Sequence, residues 1–256
     1  MDSAEERARR IFGERAAFYR TSPAHKDPQI LARVVELAHP GPHWNVLDIA
    51  TGSGHTAFAL APHVSSVTGM DITAEMLQEA ERLKGEYSLQ NVFFRHGDVH
   101  RLPFDDDAFQ LVTCRRAAHH FSNIGIALQE IRRVLSPGGR LVVDDRSVPE
   151  DDFADSCMNL LDTCHDESHV REYRPSEWQE MLQDSGFEVE VIEPYLRHRP
   201  VTSLTDGISE ENVRRIHETL AAFTPAQREL FNLTEKGGLL HFNHWFVLVA
   251  AVKVAS

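Results

Sequence analysis

Apolar positions along the chain alternate between two rhythms. Short runs such as Val46-Leu47-Asp48-Ile49 and Leu111-Val112-Thr113-Cys114 have the length of buried strands, whereas residues 4 to 20 and 28 to 37 carry apolar side chains at amphipathic-helix spacing. The pattern predicts strands near 44 to 49, 66 to 71, 91 to 96, 108 to 114, 139 to 145, 187 to 194 and 240 to 252, with helices between the first five. Strands and helices in this order argue for an α/β fold with a mostly parallel sheet covered by helices. Thr73 is placed to cap the helix after the second strand, and Pro137-Gly138-Gly139 reads as a tight turn feeding the fifth. Residues 147 to 186 and 195 to 239 fall outside the alternation. Both leave from carboxyl ends of strands, the edge at which open α/β sheets bind ligands, so they are expected to cover a site. His241 to Trp245, opening the last strand, is expected at the same rim if that strand runs antiparallel.

With 256 residues, 42% of them apolar, and no low-complexity linker, the chain is expected to form one domain. A formal charge of -13 disfavours nucleic acid as a partner, because binding it means neutralising phosphates with clustered Lys and Arg. A small-molecule substrate is favoured instead. The acidic start Met-Asp-Ser-Ala-Glu-Glu lacks signal-peptide character and no apolar run is long enough to span a bilayer, so no membrane association and a cytoplasmic location are expected. Three widely spaced cysteines suit a reducing compartment. Composition leaves the oligomeric state open.

The richest segment is Asp48-Ile-Ala50-Thr-Gly52-Ser53-Gly54-His-Thr-Ala57, followed by Asp71 at the end of the next apolar run. A strand breaks into a glycine turn and then a helix, so bare backbone can approach a ligand, and an acid waits where the second strand ends. A carboxylate there can accept from the two vicinal hydroxyls of a ribose. The turn fits G-x-G-x-x-G/A, so an NAD(P)-dependent oxidoreductase is one candidate, but residues 147 to 256 show no second mononucleotide-binding unit. Further along, Gly97-Asp98-Val99 ends a third strand, Leu102-Pro-Phe-Asp-Asp-Asp-Ala-Phe109 opens a fourth and Leu135-Ser-Pro-Gly-Gly-Arg-Leu141 opens a fifth. Singly, each acid also suits a helix cap or turn. Together they place carboxylates at three successive strand ends.

This ordered set resembles the class I S-adenosylmethionine-dependent methyltransferases, specifically the methyltransferase type 11 group that includes the UbiE-like quinone methyltransferases. The likeness covers roughly residues 40 to 146. Asp166-Glu-Ser-His-Val-Arg-Glu172, Ser176-Glu-Trp-Gln179 and the Phe12 to His25 stretch are similar to small stand-alone bacterial members of the YcgJ type. The resemblance implies a Rossmann-like, seven-stranded sheet of order 3-2-1-4-5-7-6, S-adenosyl-L-methionine as cofactor, and methyl transfer to a small organic acceptor. It divides the chain into an N-terminal helical lid (1–39), a cofactor-binding half (40–146) and substrate-cover insertions (147–186 and 195–239). A SAM-binding module without turnover is the non-enzymatic alternative.

Carried over by position, Asp48 with Ala50, Gly52, Ser53 and Gly54 would hold the methionine end of the cofactor, and Asp71 its ribose. Ile72 and Met76 would flank the adenine, Asp98 and the Val99 backbone would read its amino edge, and Arg115 would lie beside the methionine portion. Ala50 replaces the group's commoner glycine, as in many UbiE-like members. In this fold the loop after the fourth strand faces the reactive methyl, which makes His119 and His120 candidates for a general base, with helix capping as their local alternative. Asp144, His169 and Arg171 are second-rank substrate contacts, and Asp145 is a companion to Asp144. Tyr19, Ser22 and His25 are candidates for a lid. The chain lacks the Asn/Asp-Pro-Pro-aromatic motif of amide and base N-methyltransferases at this place, which counts against DNA and protein-amide acceptors. The spacings His165-x-x-x-His169 beside Cys164, His39-x-x-x-His43 and His96-x-x-x-His100 do not assemble a ligand set, so no metal is expected.

Overall fold

A computed structural model describes residues 3–23 and 25–254. Two helices, α1 (Ala4–Thr21) and α2 (Pro28–Ala38), precede β1 (Asn45–Ile49), α3 (His55–Leu60), β2 (Ser66–Asp71), α4 (Ala74–Glu86), β3 (Val92–His96) and β4 (Phe109–Arg115). Then follow α5 (Ile124–Val134), β5 (Leu135–Ser147), α6 (Asp152–His165), α7 (Pro175–Asp184) and β6 (Phe187–Pro200). The chain continues through α8 (Thr202–Thr205), α9 (Glu210–Ala221), α10 (Pro225–Leu230), β7 (Thr234–Lys236) and β8 (Leu239–Lys253). The strand order is β3-β2-β1-β4-β5-β8-β6, with β7 paired to β8 beside that path. Among the described strands, β8 runs antiparallel to its partners β5, β6 and β7, and the other pairings are parallel. Long strands therefore fall in the expected order. The sheet has eight strands rather than seven because Gly237 and Gly238, both at positive φ, fold the end of the second cover tract back as a hairpin.

Residues alternate between two cores, as the period of a strand requires. Leu47, Ile49, Leu141, Val143, Val247 and Val249 face one layer with α5 and with Trp178 and Leu182 of α7. Val46, Val67, Val142, Leu248 and Ala250 face the other, with Ile30, Val34 and Leu37 of α2 and with α3. Thus α2, expected as part of the lid, is a sheet-covering helix. The first cover tract also divides: α7 docks on the sheet, whereas α6 joins α8, α9, Phe231 and Phe242 in a third core beyond the strand ends. The Pro137-Gly138-Gly139 turn lies inside β5, where the β4 pairing skips from Phe109↔Leu135 to Leu111↔Arg140.

Two local expectations change. Thr73 occupies the N-cap position of α4, but its hydroxyl makes no capping bond; the Thr73 N–H donates to Asp71 Oδ1 at 2.9 Å. Helix α6 ends at His165, so His165 and His169 do not share a helical face.

Candidate active site

The ends of β1, β2 and β4 open onto a cleft of about 1000 Å³, partly continuous with solvent. After β1 the backbone turns through Ala50 (φ 48°) and Gly52 (φ 55°), with Thr51 N–H donating to Met70 O at 2.9 Å. Ala50 tolerates the left-handed conformation at a cost that glycine avoids. A Cβ on Gly52 would stand 3.2 Å from Met76 Cε, so this glycine keeps the cleft floor clear between turn and helix. Gly54 (φ 87°) lies behind the wall at the N-cap of α3, where a Cβ would strike the Phe58 ring at 2.6 Å.

Asp48 is buried at the end of β1 and accepts from Thr113 Oγ1 at 2.6 Å and Thr51 Oγ1 at 2.5 Å. Burial pushes its pKa up to about 6, against those two hydroxyl bonds. A carboxyl whose folded pKa exceeds its unfolded value favours folding fully below about pH 4, and that contribution is lost as pH rises through 6. Because burial outweighs the two hydroxyl bonds and the charge of Arg115, the ionised group costs the ligand-free fold about 3 kcal/mol at pH 8. Asp48→Asn is therefore expected to stabilise the ligand-free protein by about 3 kcal/mol in urea unfolding at pH 8 and by almost nothing at pH 4. A loss of stability at pH 8 would contradict this account.

Asp71 is also buried, and its pKa is raised by that burial. Its Oδ2 accepts the Gly52 N–H at 2.8 Å and its Oδ1 the Thr73 N–H, which locks the glycine turn to the start of α4. Each oxygen keeps a lone pair for a further donor. Asp98, more exposed, accepts from the His100 N–H at 2.9 Å and from His100 Nδ1 at 2.7 Å through the same Oδ1. Ile72, Met76 and Val99 supply apolar wall between these acids.

Arg115 crosses from β4 to the lid. Its Nε donates to Thr56 Oγ1 at 2.9 Å and its Nη2 to the His25 carbonyl at 2.6 Å, while Nη1 is buried without a hydrogen-bond partner. Burial lowers its pKa. Tyr19 and His25 line the cleft, their rings edge to face at 4.9 Å, and His25 Nδ1 meets Ser22 Oγ at 3.0 Å. Glu5, Ala8 and Phe12 of α1 complete the roof.

Adjacent histidines part company here. His119 is buried away from the cleft, its Nδ1 2.6 Å from Asp145 Oδ1 and its N–H donating to Asp145 Oδ2 at 2.9 Å; burial first, then His120, holds its pKa well below the usual histidine range. His120 lines the cleft, with Nδ1 3.1 Å from Ser168 Oγ. The other second-rank positions lie off the cleft. Asp144 is sealed at the end of β5, accepting from Arg116 Nε at 3.0 Å and the Tyr195 hydroxyl at 2.6 Å, and has no face for a substrate. Arg171 is tied to Asp155 at 3.1 Å and Glu177 at 2.8 Å, an ion-pair role rather than a substrate contact. His169 faces a neighbouring chamber instead, its Nε2 3.0 Å from Asn159 Oδ1. The structure thus brings Asp48, Ala50, Gly52, Ser53, Asp71, Ile72, Met76, Asp98, Val99, Arg115 and His120 onto one cleft and leaves Gly54, His119, Asp144, His169 and Arg171 outside it.

Sequence reasoning included Thr51 only as part of the Ala50 to Gly54 turn and missed Thr113, Thr56 and Ser168. Thr113 carried a signal: it is the hydroxyl inside an apolar run, and strand register sets it opposite Asp48. Ser168 carried none, since it meets His120 across 48 residues.

Sheet order, glycine turn and strand-end acids define a class I S-adenosylmethionine-dependent methyltransferase. Residues 47–143 match the methyltransferase-domain family model. The chain is 40% identical over 171 residues to the uncharacterized methyltransferase YcgJ of Bacillus subtilis, covering 67% of this chain and 68% of that one. The YcgJ crystal structure shares the fold at a TM-score of 0.83 and 33% identity, over 88% of this chain and 98% of that one. Demethylmenaquinone methyltransferase of Thermotoga maritima is 43% identical over 116 residues, so the chain spans about half the length of that relative (47%) and matches it over 43% of its own. This protein belongs to the YcgJ/UbiE-type family of methyltransferases.

Proposed function

We propose that the protein transfers a methyl group from S-adenosyl-L-methionine to a small organic acceptor by in-line displacement, with the cofactor held in the cleft over β1, β2 and β4. The observation that carries this reading is the donor and acceptor set of the cleft. Arg115 Nη1, buried without a hydrogen bond and 3.9 Å from Asp144 Oδ2, fits a carboxylate; Asp48, a buried carboxylate whose ionised form gains from a further cation, suits an ammonium; and Asp71 offers free lone pairs to two hydroxyls. Asp98 and the Val99 backbone would take the amino edge of the base, with Ile72 and Met76 on its faces, and Ser53 with the Ala50 to Gly52 turn would border the methionine end. When bound, the cofactor supplies an electrophilic methyl on a sulfonium leaving group.

The protein's work is then alignment, water exclusion and removal of the acceptor's proton. Alignment alone is worth roughly 7 to 11 kcal/mol in well-oriented reactions. For the proton, His120 is the base. Ser168 Oγ lies 2.6 Å from Asp166 Oδ1, and a carboxylate only accepts, so the serine hydroxyl donates there and turns a lone pair to His120 Nδ1. That bond places the imidazole hydrogen on Nδ1 and leaves Nε2 free to accept. An NAD(P)-dependent oxidoreductase is disfavoured because β8 runs antiparallel between β5 and β6 where a second mononucleotide half would need parallel strands.

Calorimetry with S-adenosylhomocysteine tests the cofactor assignment. A hydrogen bond to a charged group is worth roughly 1.5 to 3 kcal/mol, so losing the equivalent of one ribose hydroxyl bond predicts that Asp71→Ala weakens binding at least about 10- to 100-fold. No heat with the wild-type protein, or equal affinity in the variant, would overturn the reading.

A further inference from the structure

Beside the cleft lies a second chamber, reached past Phe12, Tyr19, His25, Arg116 and His120, which line both spaces. Arg199 of β6, a strand held by its pairing with β8, stands on its far wall. That pairing runs on from Leu196↔Trp245 to Pro200↔His241, beyond Ser147 at the end of β5, so the last residues of β6 overhang the sheet rim. Helix α6 and residues 165 to 169 close the other side.

Three guanidinium groups, from Arg116, Arg146 and Arg199, line this chamber against two carboxylates, Asp162 and Asp166. Most of these charges are committed. Arg116 binds Asp144 and the Tyr195 hydroxyl, Arg146 pairs with Asp162 and Glu172, and Asp166 accepts from Ser168. Arg199 is different: among the described residues its guanidinium has neither an ion pair nor a hydrogen bond. Burial, and then Arg116, Arg146 and Arg197 nearby, lower its pKa. A half-buried cation crowded by like charges is costly until an anion joins it, and the planar fork matches an oxyanion in two-point fashion. A second polar group there is unused. His169 Nε2 meets an amide oxygen and so carries the hydrogen, which makes its buried, unpartnered Nδ1 an acceptor awaiting a hydroxyl.

We propose that this chamber binds the methyl acceptor, and that the acceptor is a small hydroxyl-bearing organic oxyanion whose carboxylate or phosphate rests on Arg199. The assignment builds on the methyltransferase reading, since it places the acceptor where His120 faces both spaces. It separates this chain from one built for a neutral acceptor, which would leave Arg199 unpaired.

Calorimetry on protein saturated with S-adenosylhomocysteine tests it with three probes of one shape: 4-hydroxybenzoate, 4-hydroxyphenyl phosphate and the neutral 4-hydroxybenzamide. At least one anion is expected to bind tenfold or more tightly than the amide, and which one does so distinguishes carboxylate from phosphate recognition. Arg199→Gln is expected to remove that advantage, and Arg199→Lys to restore part of it, with S-adenosylhomocysteine affinity unchanged in both. If neither anion binds, if the amide binds equally well, or if Arg199→Gln leaves the anion's affinity intact, the proposal fails. The cofactor affinity measured alongside reads the methyltransferase assignment separately, because Arg199 does not line the cofactor cleft.

Discussion

His120→Gln is expected to lower kcat by about 10²- to 10⁴-fold with any acceptor that supports turnover, while S-adenosylhomocysteine affinity stays within a factor of about two. Glutamine keeps the volume and a polar end but cannot take a proton, so the loss isolates base chemistry from packing. The range is that of a positioned general base, and the geometry explains why the neighbouring histidine does not substitute. His119 also borders the second chamber, but its Nδ1 is engaged by Asp145 Oδ1 and its ring lies outside the cofactor cleft, away from the methyl to be transferred. Ser168→Ala, which removes the group holding His120 Nδ1, is expected to cost a smaller factor of about 10 in kcat with KM little changed, as suits a positioning residue. Single-turnover formation of S-adenosylhomocysteine measures both variants. Equal rates for His120→Gln and wild type would assign the acceptor a nucleophile that needs no base.

That contrast marks how far the sequence alone reaches. Asp48, Asp71 and the Ala50 to Gly54 turn are legible because each rests on local physics: a short apolar run that must be a strand, glycines where the backbone turns left-handed, and an acid one strand later. Their convergence follows from the parallel order β2-β1-β4, which puts successive strand ends side by side. The proton path is not legible, since His119 and His120 have the same type and nearly the same position. Only the fold turns one to Asp145 and the other to Ser168. Arg171 and Asp144 fail as substrate contacts for a related reason: each finds opposite charge within reach, at Asp155 and Arg116, and a satisfied ion is a poor ligand site. Arg199 attracts no notice in the sequence because its significance lies in lacking such a partner. The hairpin at β7 escapes because three residues are too short a run to show a strand period.

The same chamber sets the largest expected effect on stability. Arg146→Met should destabilise the protein by about 3 to 5 kcal/mol at pH 7, the range for breaking a buried ion pair from one side. Arg146 reaches Asp162 through Nη1, Glu172 Oε1 through Nε at 3.1 Å and His244 through Nη2 at 3.3 Å, and both carboxylates are only 1% exposed. Burial, then the charge of Asp162, pushes the Glu172 pKa well above the usual carboxylate range, so Glu172 holds its proton. Burial also acts to raise Asp162, but Arg146 and the bond from Glu172 outweigh it and hold Asp162 below its ordinary value. One guanidinium, one carboxylate and one proton thus balance. In the wild type the lowered Asp162 pKa stabilises the fold above about pH 4 and the benefit is lost as pH falls through the folded pKa. Methionine removes the cation and reverses that sign: Asp162 must then be buried bare or protonated, so the deficit is greatest at neutral pH and shrinks toward pH 4. Urea unfolding of Arg146→Met at pH 7 and pH 4.5 measures it, and adding Asp162→Asn is expected to return most of the loss by removing the stranded charge. A cost under about 1 kcal/mol at pH 7 would mean that water reaches the cluster in solution and screens it.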